Sequence, residues 1–167
     1  MTKILFICHG NICRSPMAEY VLKDMVSKRG IEDRFEIDSA ATSREEIGNP
    51  VYPPARRKLA ENGIVCGGHR AQQITRKDYE YYDMIICMDE YNITNMQRVL
   101  RLDSRELQTA MERSGGRPAK ISLLLDYTPD SYRKGRVNVA DPWYTGDFEA
   151  TWRDVTAGCE GLLEELV

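Results

Sequence analysis

The sequence predicts an α/β fold: a four-stranded parallel sheet in a three-layer arrangement, with helices on both faces. Three observations predict it. Short apolar runs of strand length alternate with segments of helical periodicity along the chain. The first apolar run leads directly into a glycine-containing loop and then an amphipathic helix, which is how a strand–crossover–strand unit opens. The C-terminal segment carries a helical stripe that would cover one face of such a sheet.

In chain order, Lys3 to Cys8 is apolar almost throughout and reads as a strand buried on both faces. Met17, Val21 and Met25 recur every fourth residue, with Ala18 and Leu22 beside them, which gives a helix from about Pro16 to Arg29 closed by Gly30. Pro16 suits the first helical position, where its missing N–H costs nothing. Phe35 to Ser39 is the second strand. Pro53-Pro54 starts a helix marked by Val51, Ala55 and Leu59 and stopped at Gly63. Met84 to Met88 is the third strand, and Ile93, Met96 and Val99 mark the helix behind it. Arg101 to Pro118 is charged and helical in pattern, broken at Gly115-Gly116; it reads as a solvated surface insertion, with a partner site as the other reading. Lys120 to Leu125 is the fourth strand. Phe148, Trp152, Val155, Cys159, Leu162 and Leu166 then recur in steps of four and three and define the last helix.

A chain of 167 residues with 42% hydrophobic side chains fits one domain, residues 1–167, with a sizeable core. Its net charge of −3 offers no general attraction to nucleic acid or to an anionic membrane. No apolar run approaches the roughly 20 residues that cross a bilayer. The N-terminus lacks the pattern of a secretory signal, and five irregularly spaced cysteines suit reduced thiols, so the expected location is cytoplasmic.

The chemistry gathers in the first loop, Cys8-His9-Gly10-Asn11-Ile12-Cys13-Arg14-Ser15-Pro16. In a doubly wound sheet, ligands collect where strands end beside the switch in strand order. A loop of this size can turn its backbone N–H groups inward around an anion, and a helix N-terminus adds partial positive charge. Arg14 can grip two oxygens of a phosphate. The same field favours the thiolate of Cys8, which makes it a candidate nucleophile. Gly10 and Asn11 are the residue types that best tolerate the left-handed backbone such a loop needs. Ser15 reads either as a helix cap or as a hydroxyl that donates to the Cys8 sulfur.

Cys8-x5-Arg14-Ser15 after the first strand, with Gly10-Asn11-Ile12-Cys13 inside it, resembles the low-molecular-weight protein tyrosine phosphatases. The resemblance continues through Asp38-Ser39-Ala40-Ala41-Thr42-Ser43, Ile47-Gly48-Asn49-Pro50, Gln73-Ile74-Thr75, Cys87-Met88-Asp89-Glu90 and Asp141-Pro142-Trp143-Tyr144. These blocks stand in the family's order along nearly the whole chain. The resemblance implies a flavodoxin-like sheet and hydrolysis of phosphotyrosine proteins and aryl phosphates. Inorganic phosphate and similar oxyanions are then the expected inhibitors, and neither cofactor nor metal is required. It implies Cys8 as nucleophile through a phosphocysteine, Arg14 as phosphate ligand and Asp141 as general acid and base, although an Asp-Pro step is otherwise an ordinary turn. His9, Gly10, Asn11, Ile12, Cys13 and Ser15 would form the phosphate cradle, and Trp143 and Tyr144 the aromatic wall beside the substrate ring.

Further out, the resemblance implies that Ser39, His69 and Glu19 support the loop through Asn11. Cys13 occupies a position that can trap an oxidised Cys8 as a reversible disulfide; a buried apolar residue is the competing reading. Cys66, Cys87 and Cys159 read as core. Glu45 departs from the aromatic residue the family often carries on the opposite lip, and a carboxylate there would oppose acidic residues near a phosphotyrosine. Asp89 reads first as a cap for the helix behind it.

Three rivals share some of these features. Arsenate reductases of the same fold need a relay of two further cysteines after the third strand, and Cys87 has no such companion in sequence. Protein-arginine phosphatases tend to carry threonine where Ile12 stands. A zinc-binding module would use Cys8, Cys13, Cys66 and His69, but would leave Arg14, Ser15 and Pro16 without a purpose.

Overall fold

The computed structural model describes residues Met1 to Val167. Four strands, β1 (Thr2–Cys8), β2 (Phe35–Ala41), β3 (Met84–Cys87) and β4 (Ile121–Leu123), form one parallel sheet in the order β2-β1-β3-β4. The register sets Cys8 opposite Ala41 on β2, and Ile7 opposite Cys87 on β3. Since β1 is followed by β2 on one side and flanked by β3 on the other, the strand order reverses at the carboxyl end of β1. The first loop emerges at that end.

Alternation along β1 divides the core. Ile4, Phe6 and Cys8 face one side, where α1 (Arg14–Lys28), α2 (Pro53–Glu61) and α8 (Phe148–Leu166) bury Met17, Leu22, Leu59, Val155 and Leu162. Leu5 and Ile7 face the other side, against Ile93, Met96 and Leu100 of α4 (Glu90–Leu100), with α3 (Arg76–Tyr81) and α5 (Ser104–Met111) at its margin. Two short helices, α6 (Asp130–Arg133) and α7 (Pro142–Thr145), lie in the connection from β4 to α8. No helix is long and apolar enough to cross a membrane.

The three-layer parallel sheet matches the expected fold. Some boundaries differ for identifiable reasons. The fourth strand ends at Leu123, because Leu124 to Tyr127 turn into a 3-10 helix whose start is closed by Asp126 accepting from the Leu123 N–H. Leu124 and Leu125 are fully buried within this turn, so an apolar run does not separate strand from turn. Helix α1 begins at Arg14, two residues earlier than expected. Pro16 therefore sits in the first turn rather than at its opening, still where no N–H partner is needed. The Arg101–Pro118 segment does contain a helix, α5, capped by Asp103.

Candidate active site

Cys8 ends β1, and its chain turns at once into the loop that feeds α1. The loop curls back because Asn11 adopts a left-handed conformation, φ 59°, while Gly10 does not; the expectation of two such residues is met only at Asn11. A Cβ at Gly10 would lie 3.3 Å from the Glu46 side chain, close enough that Glu46 would have to give way slightly. The curl aims the Asn11 N–H at the Cys8 sulfur, 3.2 Å away, and Ser15 Oγ stands 3.0 Å from the same sulfur.

Ser15 does not cap the helix, and the capping reading is set aside. Its oxygen accepts from Asn11 Nδ2 at 2.8 Å, which leaves its own hydrogen free to point at Cys8. The second Asn11 Nδ2 hydrogen goes to Ser39 Oγ at 2.9 Å, and Ser39 donates to Glu19 Oε1 at 2.5 Å. Gln72 N–H donates to Asn11 Oδ1 at 3.2 Å. His69 Nε2 lies 2.8 Å from the Asn11 carbonyl, which can only accept, so this nitrogen carries the proton; Nδ1 is 3.9 Å from Glu19. Asn11, Ser15, Ser39 and Glu19 are all buried, so this chain of bonds is sheltered from water and fixes the loop's shape.

Arg14, only 2% exposed, reaches under the loop. Nη1 donates to Asp89 Oδ2 at 2.6 Å and to the Val139 carbonyl at 2.8 Å, and Nη2 lies 3.4 Å from Asp141 Oδ2. Burial works against the guanidinium charge, but Cys8, Asp89 and Asp141 outweigh it and hold Arg14 more firmly protonated than usual. Asp89 does two jobs: Oδ1 caps α4 by accepting from Asn92 N–H, and Oδ2 binds Arg14. The sequence supported the first job and missed the second, because nothing local signals a contact across 75 positions.

These groups open into a pocket enclosing about 120 Å³, with Cys8 and Arg14 at its floor. Asp141, at the start of α7, accepts from Trp143 N–H at 3.0 Å through Oδ1. Trp143 and Tyr144 follow and form one exposed wall; Ile12, Cys13 and Gly10 line the base. Glu45 and Glu46 stand on the rim, and Glu45 Oε2 is 3.0 Å from His9 Nε2. The sequence did not single out Glu46 or Val139, which reach the site from loops whose course depends on the assembled fold.

The remaining cysteines are all buried as free thiols. Burial, with smaller contributions from Cys8 and Asp141, pushes the Cys13 thiol well up from its usual range. Burial does the same to Cys87 and Cys159. No group of three or more His, Cys, Asp or Glu side chains is arranged to hold a metal ion, so Cys8, Cys13, Cys66 and His69 do not make a zinc set.

A Cys-x5-Arg loop closing on an anion-sized pocket, at the switch point of a doubly wound sheet, defines the class of phosphate-loop cysteine phosphatases. Comparison narrows the class. The family model described as low molecular weight phosphotyrosine protein phosphatase matches residues 3–167. The Bacillus subtilis low molecular weight protein-tyrosine-phosphatase YfkJ is 36% identical over 166 residues, 99% of this chain and 96% of its own. Its crystal structure superposes with a TM-score of 0.85, covering 99% of this chain and 94% of that one. The Homo sapiens low molecular weight phosphotyrosine protein phosphatase is 37% identical over 164 residues, 97% of this chain and 94% of its own. The Drosophila arginine phosphatase DARP is similar in structure, with a TM-score of 0.80 at 28% identity, covering 99% of this chain and 98% of that one. The chain belongs to the low molecular weight phosphotyrosine protein phosphatase family, and it is accordingly a protein phosphatase, a hydrolase.

Proposed function

We propose that the protein hydrolyses phosphotyrosine and other aryl phosphates in two steps, with Cys8 as nucleophile and Asp141 as general acid and then base. The observation that carries this reading is the set of groups meeting at one sulfur: the Asn11 N–H at 3.2 Å, the Ser15 hydroxyl at 3.0 Å, and Arg14 on the same pocket floor. In the first step Cys8 Sγ forms a bond to phosphorus, the bond from phosphorus to the aryl oxygen breaks, and Asp141 gives that oxygen its proton. In the second, water attacks phosphorus, Asp141 takes a proton from it, and the sulfur leaves with inorganic phosphate as product. Ser15 donates to the departing thiolate, while Arg14 and the inward N–H groups hold the equatorial oxygens through both steps.

Trp143, Tyr144 and Ile12 give the pocket an aromatic and apolar lining that suits a phenyl ring better than a guanidinium, which favours phosphotyrosine over phosphoarginine. Inorganic phosphate and related oxyanions compete for the same cradle. Five free thiols fit a reducing cytoplasm.

Acid quenching during turnover of a radiolabelled phosphotyrosine peptide should trap label on Cys8 in the wild type and none in Cys8→Ser. Asp141→Ala should slow phenyl phosphate far more than p-nitrophenyl phosphate, because only the poor leaving group needs the proton. Label on another residue, or equal losses on the two esters, would overturn the assignments. Side-by-side phosphotyrosine, phosphoserine and phosphoarginine peptides test the substrate class.

A further inference from the structure

A groove of about 450 Å³ lies beside the catalytic pocket and shares Ile12, Glu46 and Trp143 with it. Trp143 is the partition. Its ring centroid is 4.9 Å from that of Tyr52, which fixes the indole against the groove wall. Pro50, Val51 and Pro53 make the rest of the lining apolar, and Arg56 and Arg57 supply the charge.

The two arginines are set apart by their surroundings. Neither makes an ion pair, whereas the next residue, Lys58, is held by both Glu61 and Glu149. Ala55 and Leu59 bury the opposite face of α2, so packing turns Arg56 and Arg57 outward but does not call for two cations there. Helix α2 has no acidic residue in its first turn to answer them. Both guanidinium groups therefore stand exposed and without a carboxylate partner. The one carboxylate in the groove, Glu46, accepts from Asn49 Nδ2 at 2.5 Å. Glu45 lies on the pocket mouth instead, outside the groove and bound by His9.

We propose that this groove docks the stretch of substrate chain beside the phosphotyrosine and that Arg56 and Arg57 read an Asp or Glu side chain on it. The inference rests on phosphotyrosine hydrolysis at Cys8. A ring seated in the pocket leaves its own backbone at the rim, where the groove adjoins the pocket at Ile12, Glu46 and Trp143. An extended chain advances about 3.5 Å per residue, so three positions on either side of the phosphotyrosine reach about 10 Å along the adjoining groove. Ion pairs at such an open site change affinity by up to about fivefold and weaken with salt.

The test uses phosphotyrosine peptides carrying Glu, Ala or Lys at each of three positions on either side, with kcat/KM read by phosphate release at low salt. On one side of the phosphotyrosine, Glu should exceed Lys by about fivefold through KM, and 0.5 M salt should flatten the difference. Arg56→Gln with Arg57→Gln should abolish the preference and leave p-nitrophenyl phosphate, too small to reach the groove, unaffected. Arg56→Glu with Arg57→Glu should reverse it in favour of Lys. Hydrolysis of every peptide at one rate, or a preference that survives the charge reversal, would overturn the groove assignment alone. Failure to hydrolyse any phosphotyrosine peptide or p-nitrophenyl phosphate would overturn both readings. A sedimentation shift in the charge-reversed variant without a change in peptide preference would assign the groove to a second copy of the chain and also overturn the proposal.

Discussion

Asn11 is where the shape of the loop and the stability of the protein meet, and two substitutions there separate backbone from side chain. The side chain makes three buried hydrogen bonds, to Ser15 Oγ, Ser39 Oγ and the Gln72 N–H. At about 1 kcal/mol each, Asn11→Gly should cost roughly 3 kcal/mol, since glycine keeps φ 59° without strain and loses only those bonds. Asn11→Ala should cost about 1 kcal/mol more, because its Cβ is now held in the left-handed region without the side-chain bonds that compensate asparagine. In thermal unfolding, 3 kcal/mol corresponds to a drop of roughly 10 °C for a chain of this size. Activity should fall further than stability alone explains. Once the Asn11 N–H and Ser15 Oγ are no longer fixed at the Cys8 sulfur, a displacement near 1 Å costs on the order of 100-fold in kcat. Urea unfolding of both variants, paired with p-nitrophenyl phosphate kinetics at a temperature where each is folded, checks the reasoning. If Ala proved as stable as Gly, or if either kept wild-type kcat, the loop would not depend on this side chain in the way described.

Two further predictions come from the core. Gly161 lies inside α8, where alanine normally stabilises a helix by about 1 kcal/mol; here a Cβ would fall 1.8 Å from the Tyr127 carbonyl oxygen. Gly161→Ala should therefore destabilise by at least 1–3 kcal/mol in urea unfolding, and any gain in stability would contradict the close approach of α8 to the Leu124–Tyr127 turn. The second concerns alkaline pH. Burial raises the Cys13, Cys87 and Cys159 thiols above their ordinary value of 9.0, so the folded chain holds protons that the unfolded chain releases. Stability is then unaffected by these groups below about pH 9 and falls above it, by about 1.4 kcal/mol per pH unit for each thiol. Cys159→Ala should lower stability at pH 7 yet flatten that decline by one thiol's share; an unchanged slope between pH 9 and 10.5 would show that Cys159 does not contribute.

Residues whose signals are local were legible in the sequence, and residues joined only by the fold were not. Cys8, Arg14 and Ser15 sit within eight positions, and strand, loop and helix announce themselves by periodicity, so the phosphate loop can be placed from the sequence alone. Helices α3, α6 and α7 escape such a reading because six or four residues are too few to show a helical stripe. A serine near a helix start suggests a cap, but Asn11 Nδ2 donates to the Ser15 oxygen from within the loop. Ser39 and His69 bond to Asn11, and Glu19 to Ser39, at distances no spacing rule supplies; only the family resemblance pointed to them. Gly161 gave no warning at all: a helical glycine looks the same in sequence whether it is tolerated or required.

The arrangement around Arg14 shows why the site needs two neighbouring strand ends and the connection that follows β4, and not merely a loop. A guanidinium buried this deeply is stable only if its charge is answered and its N–H groups are occupied. The loop that carries Arg14 offers no carboxylate of its own. Asp89, just past β3, answers the charge; the Val139 carbonyl, on the return from β4, takes a second bond from the same nitrogen. With Nη1 fixed from both sides, rotation of the guanidinium is blocked, and Nη2 is left toward the pocket and Asp141. Asp89 cannot drift to follow the arginine, because its other oxygen is tied to the first turn of α4. The parallel sheet thus does more than display a reactive loop. By setting the carboxyl ends of β1 and β3 side by side, and holding Val139 through its N–H on the Met88 carbonyl, it clamps one edge of a buried cation and leaves the other edge toward the place where a phosphate oxygen would bind.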